Sequence, residues 1–353
     1  RKGGTGYGWL VDANIDGVQV ETEIDVLGWS DLVRNSMSHG IFATYYQLFR
    51  TSWIYLSTGT LRRLMWLRKG PVIAALYPVA VLLAQALLAI IAAALVGTVV
   101  SRLSFGGLGW VVALPIMVFI LQWFRDHDSR FFAYYLMHDY AFSAGGRGEN
   151  PPELEARMIQ FRNRIAAALK SDVDEVLVVG HSSGAHLAVS ILADLIRGST
   201  TRRDGPALAL LSLGQVVPMV SFLPNAQRLR ADLHDLSMSD ALSWVDVSAP
   251  GDGCSFALCD PVAVSGVAAK AKRWPIVFSA AFTQSLSPGR WQQLKRKYFK
   301  LHFQYLCAFD RPKDYDYFQI TAGPLTLAER YANRPPSKSR IDVPASLYTS
   351  MVA

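Results

Sequence analysis

The sequence GHSSG at residues 180–184 has the clearest chemical meaning in the chain, because it places a serine between two glycines. A short apolar run precedes it and a longer apolar run follows it, which predicts a strand, a sharp turn and a helix. Ser182 would hold a strained backbone at this turn, and the two glycines would avoid side-chain clashes there. The following helix would direct its N-terminal amides toward the same point. The motif indicates a nucleophilic serine, and a tight turn without chemistry is the alternative.

The elements around this motif alternate between strand and helix. The predicted elements are strands at 130–142, 175–180, 207–214 and 241–249, a weaker strand at 274–282, and helices at 152–170 and 185–198. Short apolar strands that alternate with helices are typical of a mostly parallel sheet with helices on both faces. The sequence therefore predicts the α/β fold class.

The stretch LVVGHSSGAHLA resembles the nucleophile elbow of lipases and esterases in the α/β-hydrolase superfamily. The resemblance covers roughly residues 130–310 and implies a serine hydrolase whose catalytic acid and histidine follow the serine in that order. Ser182 is then the nucleophile, and the backbone N–H of Ser183 is one donor of the oxyanion hole. The HGGG motif that normally supplies the second donor does not occur, so a segment upstream of residue 1 or the loop at 143–147 is expected to supply it.

Only two histidines follow the serine, and the resemblance selects between them. His234 precedes the strand at 241–249, in a segment that is predicted to be a helix surface. His302 follows every plausible acid, so the resemblance implies that it is the general base. A histidine that is simply hydrogen-bonded among its aromatic neighbours is the alternative.

The acid has three candidates. The family places it in the loop after a late strand, and here the turn PGDG follows the strand at 241–249 and could present Asp252 to His302. Asp252 is favoured for this reason, although an aspartate beside glycine is also common in ordinary turns. Asp260 and Asp246 remain open as alternatives.

Two apolar runs are long enough to cross a membrane. Residues 70–101 and 103–124 contain no charged residue, and each run exceeds the about 20 positions that a spanning helix needs. Neither run has a polar stripe, which favours a transmembrane helical hairpin over a pair of buried core helices. Basic residues flank the pair at both outer ends, whereas the connection holds only Arg102. The positive-inside rule then places both flanks in the cytoplasm and the Gly106–Gly107 turn on the opposite side.

These signals divide the chain into four segments. Residues 1–69 hold a β-hairpin around Asp16–Gly17 and a helical segment, residues 70–124 form the transmembrane hairpin, and residues 125–332 form the α/β-hydrolase core. Residues 333–353 form a polar C-terminal tail, whose first part at 333–340 is expected to be loose.

Composition narrows the class of protein. The chain has 353 residues, of which 18% are charged and 51% hydrophobic, and its formal net charge is +7. These values exclude a disordered, collagen-like or coiled-coil chain. Three cysteines form no disulfide framework, which favours a reducing compartment.

Other signals give weaker expectations. A basic cluster stands among aromatic residues, and it comprises Arg290, Lys295, Arg296, Lys297 and Lys300. Beside a membrane anchor this basic cluster indicates attraction to anionic lipid headgroups, and a solvated helix face is an equal alternative. No nucleic-acid partner is expected.

Cys254 and Cys259 lack two further zinc ligands, and no Walker loop or dinucleotide fingerprint occurs. We therefore expect neither a metal nor a cofactor, and the oligomeric state stays open.

The expected function is that of an integral membrane serine hydrolase with its catalytic domain on the cytoplasmic side. It would cleave an ester through Ser182, His302 and Asp252, and a lipid or acyl ester is the expected substrate. Two alternatives differ in their tests. An acyltransferase with the same triad would transfer the acyl group to an added alcohol or amine, and an inactive scaffold with a hydrolase fold would not react with a fluorophosphonate probe.

Overall fold

The computed structural model describes residues 7–36, 40–103, 108–198 and 205–352. Within these ranges the chain is a mixed α/β protein with a two-stranded sheet, a four-stranded parallel sheet and seventeen α-helices. The chain divides into two compact units, the first comprising residues 1–29, 56–72 and 146–353 and the second residues 30–55 and 73–145. Each unit draws on more than one of the four segments that the sequence predicts.

The elements are numbered in chain order. The strands are β1 (Tyr7–Ile15), β2 (Val18–Val26), β3 (Glu175–His181), β4 (Ala207–Leu213), β5 (Ser243–Ser248) and β6 (Ile276–Ser279). The first helices are α1 (Ser30–Ser36), α2 (Gly40–Ser57), α3 (Thr60–Leu67), α4 (Lys69–Leu103), α5 (Leu108–Asp126), α6 (Asp128–Phe131), α7 (Ala133–Ala144), α8 (Pro152–Ala168) and α9 (Gly184–Arg197). The remaining helices are α10 (Val217–Ser221), α11 (Gln227–Met238), α12 (Pro261–Val264), α13 (Phe282–Ser285), α14 (Pro288–Leu294), α15 (Tyr298–His302), α16 (Tyr317–Thr321) and α17 (Leu327–Tyr331).

The parallel sheet lies in the first unit and has the strand order β3-β4-β5-β6. All four strands were predicted from their apolar runs, and helices α8 and α9 confirm the two predicted helices of this region. One face of the sheet, which includes Leu211, Val247 and Phe278, belongs to the same buried cluster as Tyr305 and Tyr331 from the C-terminal part of the chain. Helix α9 contacts β3 and β4 and contributes no residue to that cluster, so it covers the other face.

The β-hairpin predicted around Asp16–Gly17 is confirmed, with β1 and β2 antiparallel along their whole length. Both turn residues have positive φ, +55° for Asp16 and +80° for Gly17. Aspartate followed by glycine is favoured in such two-residue turns because both tolerate this backbone conformation. Arg164 of α8 donates two hydrogen bonds to Asp25 of β2, at 2.8 and 2.9 Å, and so connects the hairpin to α8.

The strand predicted at 130–142 is wrong, because these residues belong to α6 and α7. The buried residues of α7 include Tyr134 and Met137, which lie three residues apart and therefore on one helix face. The Asp128 carboxylate accepts the backbone N–H groups of Tyr134 and Tyr135 at 2.9 and 3.0 Å and caps the start of α7. The many aromatic residues favour a strand by propensity, but the helical spacing and this cap prevail.

Helices α4 and α5 lie in the second unit, apart from the first turn of α4, and are long and apolar enough to span a membrane. Their most apolar windows have a mean hydropathy of 2.8 and 1.3. The two helices pack closely, because a Cβ on Gly97 would lie 3.0 Å from the carbonyl oxygen of Gly109. They correspond to the predicted runs at 70–101 and 103–124, and the predicted Gly106–Gly107 turn lies outside the described residues.

The composition of the C-terminal tail predicts a loose segment at 333–340, but these residues belong to the first unit and are hydrogen-bonded to its core. Ser337 N–H donates to the carbonyl oxygen of Val277 in β6 at 2.8 Å. Further along the tail, Ile341 N–H donates to the carbonyl oxygen of Leu258 at 2.7 Å. Backbone N–H groups of this polar, proline-containing tail therefore supply hydrogen bonds to carbonyl groups of the core. Composition alone does not reveal these hydrogen bonds.

Candidate active site

Ser182 occupies the turn between β3 and α9, as the motif predicts. Its φ is +55°, in the left-handed region that costs a non-glycine residue roughly 1–3 kcal/mol. Its backbone N–H donates to the carbonyl oxygen of Leu213 at 3.0 Å, which attaches the turn to the end of β4. The strained backbone expected at this serine is therefore present, and such strain is concentrated at functional sites.

The two glycines of the motif differ in their surroundings. A Cβ on Gly180 would lie 2.8 Å from Ala185 Cα and 3.0 Å from the carbonyl oxygen of Gly184, so a side chain does not fit between the end of β3 and the start of α9. A Cβ on Gly184 would meet no atom within 4 Å. The steric requirement predicted for both glycines is confirmed at Gly180 and wrong at Gly184, where the first turn of α9 faces open space.

The start of α9 also holds the expected oxyanion donor. Ser183 N–H makes no hydrogen bond within the described part of the chain and remains available. The loop at 143–147, the expected source of a second donor, offers carbonyl groups to Asn225. Gly146 O accepts from Asn225 Nδ2 at 3.2 Å, and Arg147 O accepts from Asn225 N–H at 2.9 Å. A donor role for this loop stays a prediction.

Asp252 and His302 lie together although 50 residues separate them in the chain. Asp252 follows β5 and His302 ends α15, beyond β6, so each comes after the carboxyl end of one of two neighbouring parallel strands. His302 Nδ1 is 2.8 Å from Asp252 Oδ2. Tyr305 OH donates to the same oxygen at 3.1 Å, and Cys254 N–H donates to Asp252 Oδ1 at 2.9 Å. The carboxylate is buried, with the residue 2% exposed, and has donors on both oxygens.

The protonation of this pair follows from its contacts. Burial alone would raise the pKa of Asp252, but the hydrogen bond and charge of His302 and the N–H of Cys254 outweigh burial and keep that pKa below its ordinary value. An ionised carboxylate only accepts hydrogen bonds, so the proton of the imidazole sits on His302 Nδ1. In the neutral ring, Nε2 then carries a lone pair, which is the form that a general base requires.

The alternative acids and the alternative histidine have other partners. Asp260 accepts two backbone N–H groups at the start of α12 and pairs with Lys272 Nζ at 2.6 Å. Asp246 lies inside β5, where its Oδ1 accepts the Ser212 hydroxyl at 2.6 Å. His234 Nδ1 is 2.8 Å from a backbone carbonyl oxygen. Of the three carboxylates considered from the sequence, Asp252 is therefore the one that contacts His302.

Ser182 and His302 both lie against the carboxyl end of β4 and the residue that follows it. Ser182 N–H binds the carbonyl oxygen of Leu213, and His302 Cε1 is 3.3 Å from the position of a Cβ on Gly214. Within the described residues no hydrogen bond joins Ser182 Oγ to His302 Nε2, and neither atom has another hydrogen-bond partner. Both atoms therefore keep their hydrogen-bonding capacity for a reactant.

Two residues that the sequence reasoning missed hold His302 in place. His181 Nε2 donates to the carbonyl oxygen of His302 at 2.9 Å, and the two ring centroids are 4.6 Å apart. Burial and then the charge of His302 lower the pKa of His181 to about 4, so His181 is neutral at pH 7. Tyr305 OH accepts the N–H of Ala249 at 2.8 Å while donating to Asp252. His181 stands inside the motif and could have been considered, whereas nothing in the sequence marks Tyr305.

A metal could in principle bind near the same residues. Asp252, Cys254 and His302 have ligand atoms within 4.8 Å of one another. Burial, with the charge of Asp252, raises the pKa of the Cys254 thiol to about 12 and keeps it protonated at pH 7. A metal would have to displace that proton and the hydrogen bond between His302 and Asp252. The three residues therefore fit an acid–base pair better than a metal site.

Comparison with known proteins adds no family assignment. No protein-family model matches the chain, and no curated protein or solved structure matches it significantly. The resemblance to α/β hydrolases therefore stays a prediction from the motif at residues 180–184. What the site can do is inferred from its own geometry.

The glycine geometry predicts different effects for two alanine substitutions. Gly180→Ala should lower the free energy of unfolding by about 2 kcal/mol, because the new Cβ overlaps the start of α9. Gly184→Ala is the matched control and should leave the stability unchanged or raise it by up to about 1 kcal/mol, because its Cβ meets open space. Urea unfolding measures the free energy of unfolding of both variants, and equal losses at the two positions would contradict the geometry.

The buried carboxyl group of Asp246 should make the stability of the folded protein depend on pH. Burial, with the charge of Asp260, raises its pKa to about 8 from the ordinary 3.8. The folded protein therefore holds a proton that the unfolded chain releases, and stability falls as pH rises from about 4 to about 8. Asp246→Asn removes the titrating group and therefore this fall in stability. The free energy of unfolding of the variant, relative to that of the wild-type protein, should thus increase with pH across that range. Asp240→Asn, at an exposed site, is the control, and a pH-independent margin for Asp246→Asn would contradict the assignment.

Proposed function

We propose that this protein is a membrane-anchored serine hydrolase that cleaves an ester. The observation that carries the proposal is the strained serine at the β3–α9 turn, at the end of the sheet where the buried Asp252–His302 pair also lies. A serine hydroxyl is a weak nucleophile and requires a base that a third group orients. Ser182, His302 and Asp252 can supply these three roles.

In the proposed reaction, Ser182 Oγ attacks the carbonyl carbon of the ester while His302 Nε2 takes its proton. The carbon–oxygen bond to the alcohol breaks, the imidazolium gives its proton to the departing oxygen, and the acyl group stays on Ser182. Water then attacks the acyl group and passes a proton through His302, which releases the acid and restores the hydroxyl. The reaction requires Ser182 Oγ and His302 Nε2 to come within hydrogen-bond reach in the substrate complex, where catalytic hydrogen bonds commonly tighten.

Two further groups stabilise charge in this reaction. Asp252 holds the imidazole in the tautomer that leaves Nε2 free, and its negative charge stabilises the imidazolium that forms. The free N–H of Ser183 would donate to the oxyanion of the tetrahedral intermediate. Since one lost oxyanion donor costs about 100- to 1,000-fold in rate, Ser183 alone implies a slower enzyme than one with two donors.

The proposal includes an α/β-hydrolase fold for the first unit. In that fold the nucleophile stands at a strand-to-helix turn, and the acid and then the histidine follow it in the chain. Ser182 follows β3, Asp252 follows β5 and His302 follows β6, which agrees with this order. The parallel sheet with helices on its faces supports the assignment at the level of architecture.

The membrane anchor is proposed for the second unit, where α4 and α5 are long and apolar. Helix α2 supports it with a stripe of exposed aromatic residues, which comprises Phe42, Tyr46, Phe49 and Trp53 and ranges from 60% exposed at Trp53 to 82% at Phe42. On its other side, Leu48 belongs to a buried cluster with Leu82 of α4, and Tyr45 OH donates to the carbonyl oxygen of Leu82 at 2.9 Å. Aromatic residues are enriched at the membrane interface, so we place this stripe in the lipid headgroup layer.

A fluorophosphonate probe tests the catalytic proposal. The wild-type protein should be labelled covalently, and Ser182→Ala should abolish the labelling because it removes the nucleophile. Asp252→Asn should slow labelling by about 10²- to 10⁴-fold, since the imidazole loses its orienting carboxylate. Gel fluorescence over time gives the rates.

Asp246→Asn is the matched control for this experiment, because it replaces a buried carboxyl group inside β5 whose partner is Ser212 and not His302. It should be labelled close to the wild-type rate. Labelling that persists in Ser182→Ala, or a wild-type protein that never reacts, would refute the proposal and favour an inactive scaffold.

The position of the aromatic stripe on α2 is tested by fluorescence quenching. A fluorophore is attached to a cysteine introduced by Phe49→Cys, with Cys307→Ser to remove the exposed native thiol. In lipid vesicles, spin-labelled lipids should quench it strongly, because the interface surrounds this side of α2. The control fluorophore, at Glu153→Cys on the exposed surface of α8, should be quenched weakly, and equal weak quenching at both sites would contradict the placement.

A further inference from the structure

A groove of about 400 Å³ lies along α14 and α15, and its lining includes Phe303, which directly follows the proposed catalytic histidine in the chain. Its lining includes three basic side chains, Arg290, Lys297 and Lys300, and two aromatic ones, Phe299 and Phe303. The basic residues belong to the cluster that the sequence analysis left unassigned between lipid headgroups and solvent. The groove therefore combines positive charge with apolar surface in one concave site.

The positive charge of this groove is not neutralised by ion pairs. Within the described residues, none of Arg290, Lys297 and Lys300 forms a salt bridge. Asp310 is the carboxylate whose charge reaches Arg290, and it is exposed to solvent. Like charges held close together repel one another, so an anion bound between them would be stabilised.

The groove shares helix α15 with the proposed general base. Lys297 and Lys300 stand at the start and in the middle of the short helix that ends with His302. Phe303, the next residue, packs its ring 5.0 Å from the ring of His181, which neighbours Ser182. A molecule in the groove would therefore contact Phe303, whose ring packs against the ring of His181.

We infer that this groove binds a phosphate group of the ester substrate, so that the preferred substrates are anionic amphiphilic esters. The inference rests on the proposed function of Ser182. Lys297, Lys300 and Arg290 bind the phosphate by charge-assisted hydrogen bonds, and Phe299 and Phe303 cover the adjoining hydrocarbon. The same chemistry is found in a phospholipid headgroup and in a dispersed phosphate ester, and the test separates these two sources.

The test compares two esters of the same acyl chain, one neutral and one with a phosphate group. Each is supplied as a dispersed short-chain compound and as a long-chain lipid in anionic vesicles. The double variant Lys297→Gln/Lys300→Gln should lower the ratio of kcat/KM for the phosphate ester to that for the neutral ester by about tenfold. The control, Lys170→Gln/Lys338→Gln, removes the same charge from exposed sites elsewhere and should keep the wild-type ratio.

The arms of the experiment identify the source of the phosphate. A reduced ratio in the dispersed arm supports binding of the phosphate ester itself, and a reduced ratio in vesicles alone supports the lipid headgroup. An unchanged ratio in both arms overturns the inference, and so does an equal loss for both esters in vesicles, which would mean general attraction to the anionic surface.

Binding to the Ser182→Ala protein separates this inference from the proposed function. Calorimetric titration with the dispersed phosphate ester should show about tenfold weaker binding when Lys297→Gln/Lys300→Gln is added. If no ester is hydrolysed but this difference is present, the catalytic proposal fails and the phosphate site stands. If esters are hydrolysed and the difference is absent, the phosphate site fails and the catalytic proposal stands.

Discussion

The buried carboxylate of Asp252 sets the conditions that much of the first unit must meet. An ionised carboxylate away from water is stable only when hydrogen-bond donors surround it. Asp252 receives donors from Cys254 in its own loop and from Tyr305 and His302 in the segment after β6. β5 and β6 lie side by side and parallel, so the segments that follow them begin at the same end of the sheet. The same contacts decide which nitrogen of His302 carries the proton, so the electrostatics of one side chain determine the proposed chemistry of another.

Tyr305 joins this polar centre to the apolar core beneath it. Its hydroxyl lies between Asp252 and the N–H of Ala249, while its ring packs 4.8 Å from that of Phe282. The carbonyl oxygen of Tyr305 accepts the hydroxyl of Tyr315 at 2.7 Å. Packing of this kind leaves His302 little freedom to rotate away from Asp252. The strain at Ser182, on the neighbouring side of the sheet end, is likewise supported by the hydrogen bond to β4 and the close approach at Gly180.

The sequence could predict those parts of the fold and site that are encoded locally. The strand, the strained Ser182 and helix α9 follow from residues close to one another in the chain, and they are present. The pairing of Asp252 with His302 spans 50 residues, and it was expected from the order of acid and histidine that the family resemblance implies, not from a local pattern. The contact of Tyr305 with Asp252 spans 53 residues and has no signal in the sequence. The strand expected at 130–142 is wrong because its aromatic residues favour a strand by propensity, whereas the buried residues of α7 follow helical spacing. The contacts of the C-terminal tail are made by backbone groups, which composition does not describe.

The central claim is that Ser182 forms a covalent bond with the acyl group of an ester. The most direct measurement is mass spectrometry of the full-length protein, quenched with acid during turnover of a slowly hydrolysed ester and then digested. The account predicts that the peptide containing Ser182 gains the mass of the acyl group, and that this species disappears when the ester is exhausted. Acylation of another residue, or turnover of the ester with Ser182 unmodified, would contradict it.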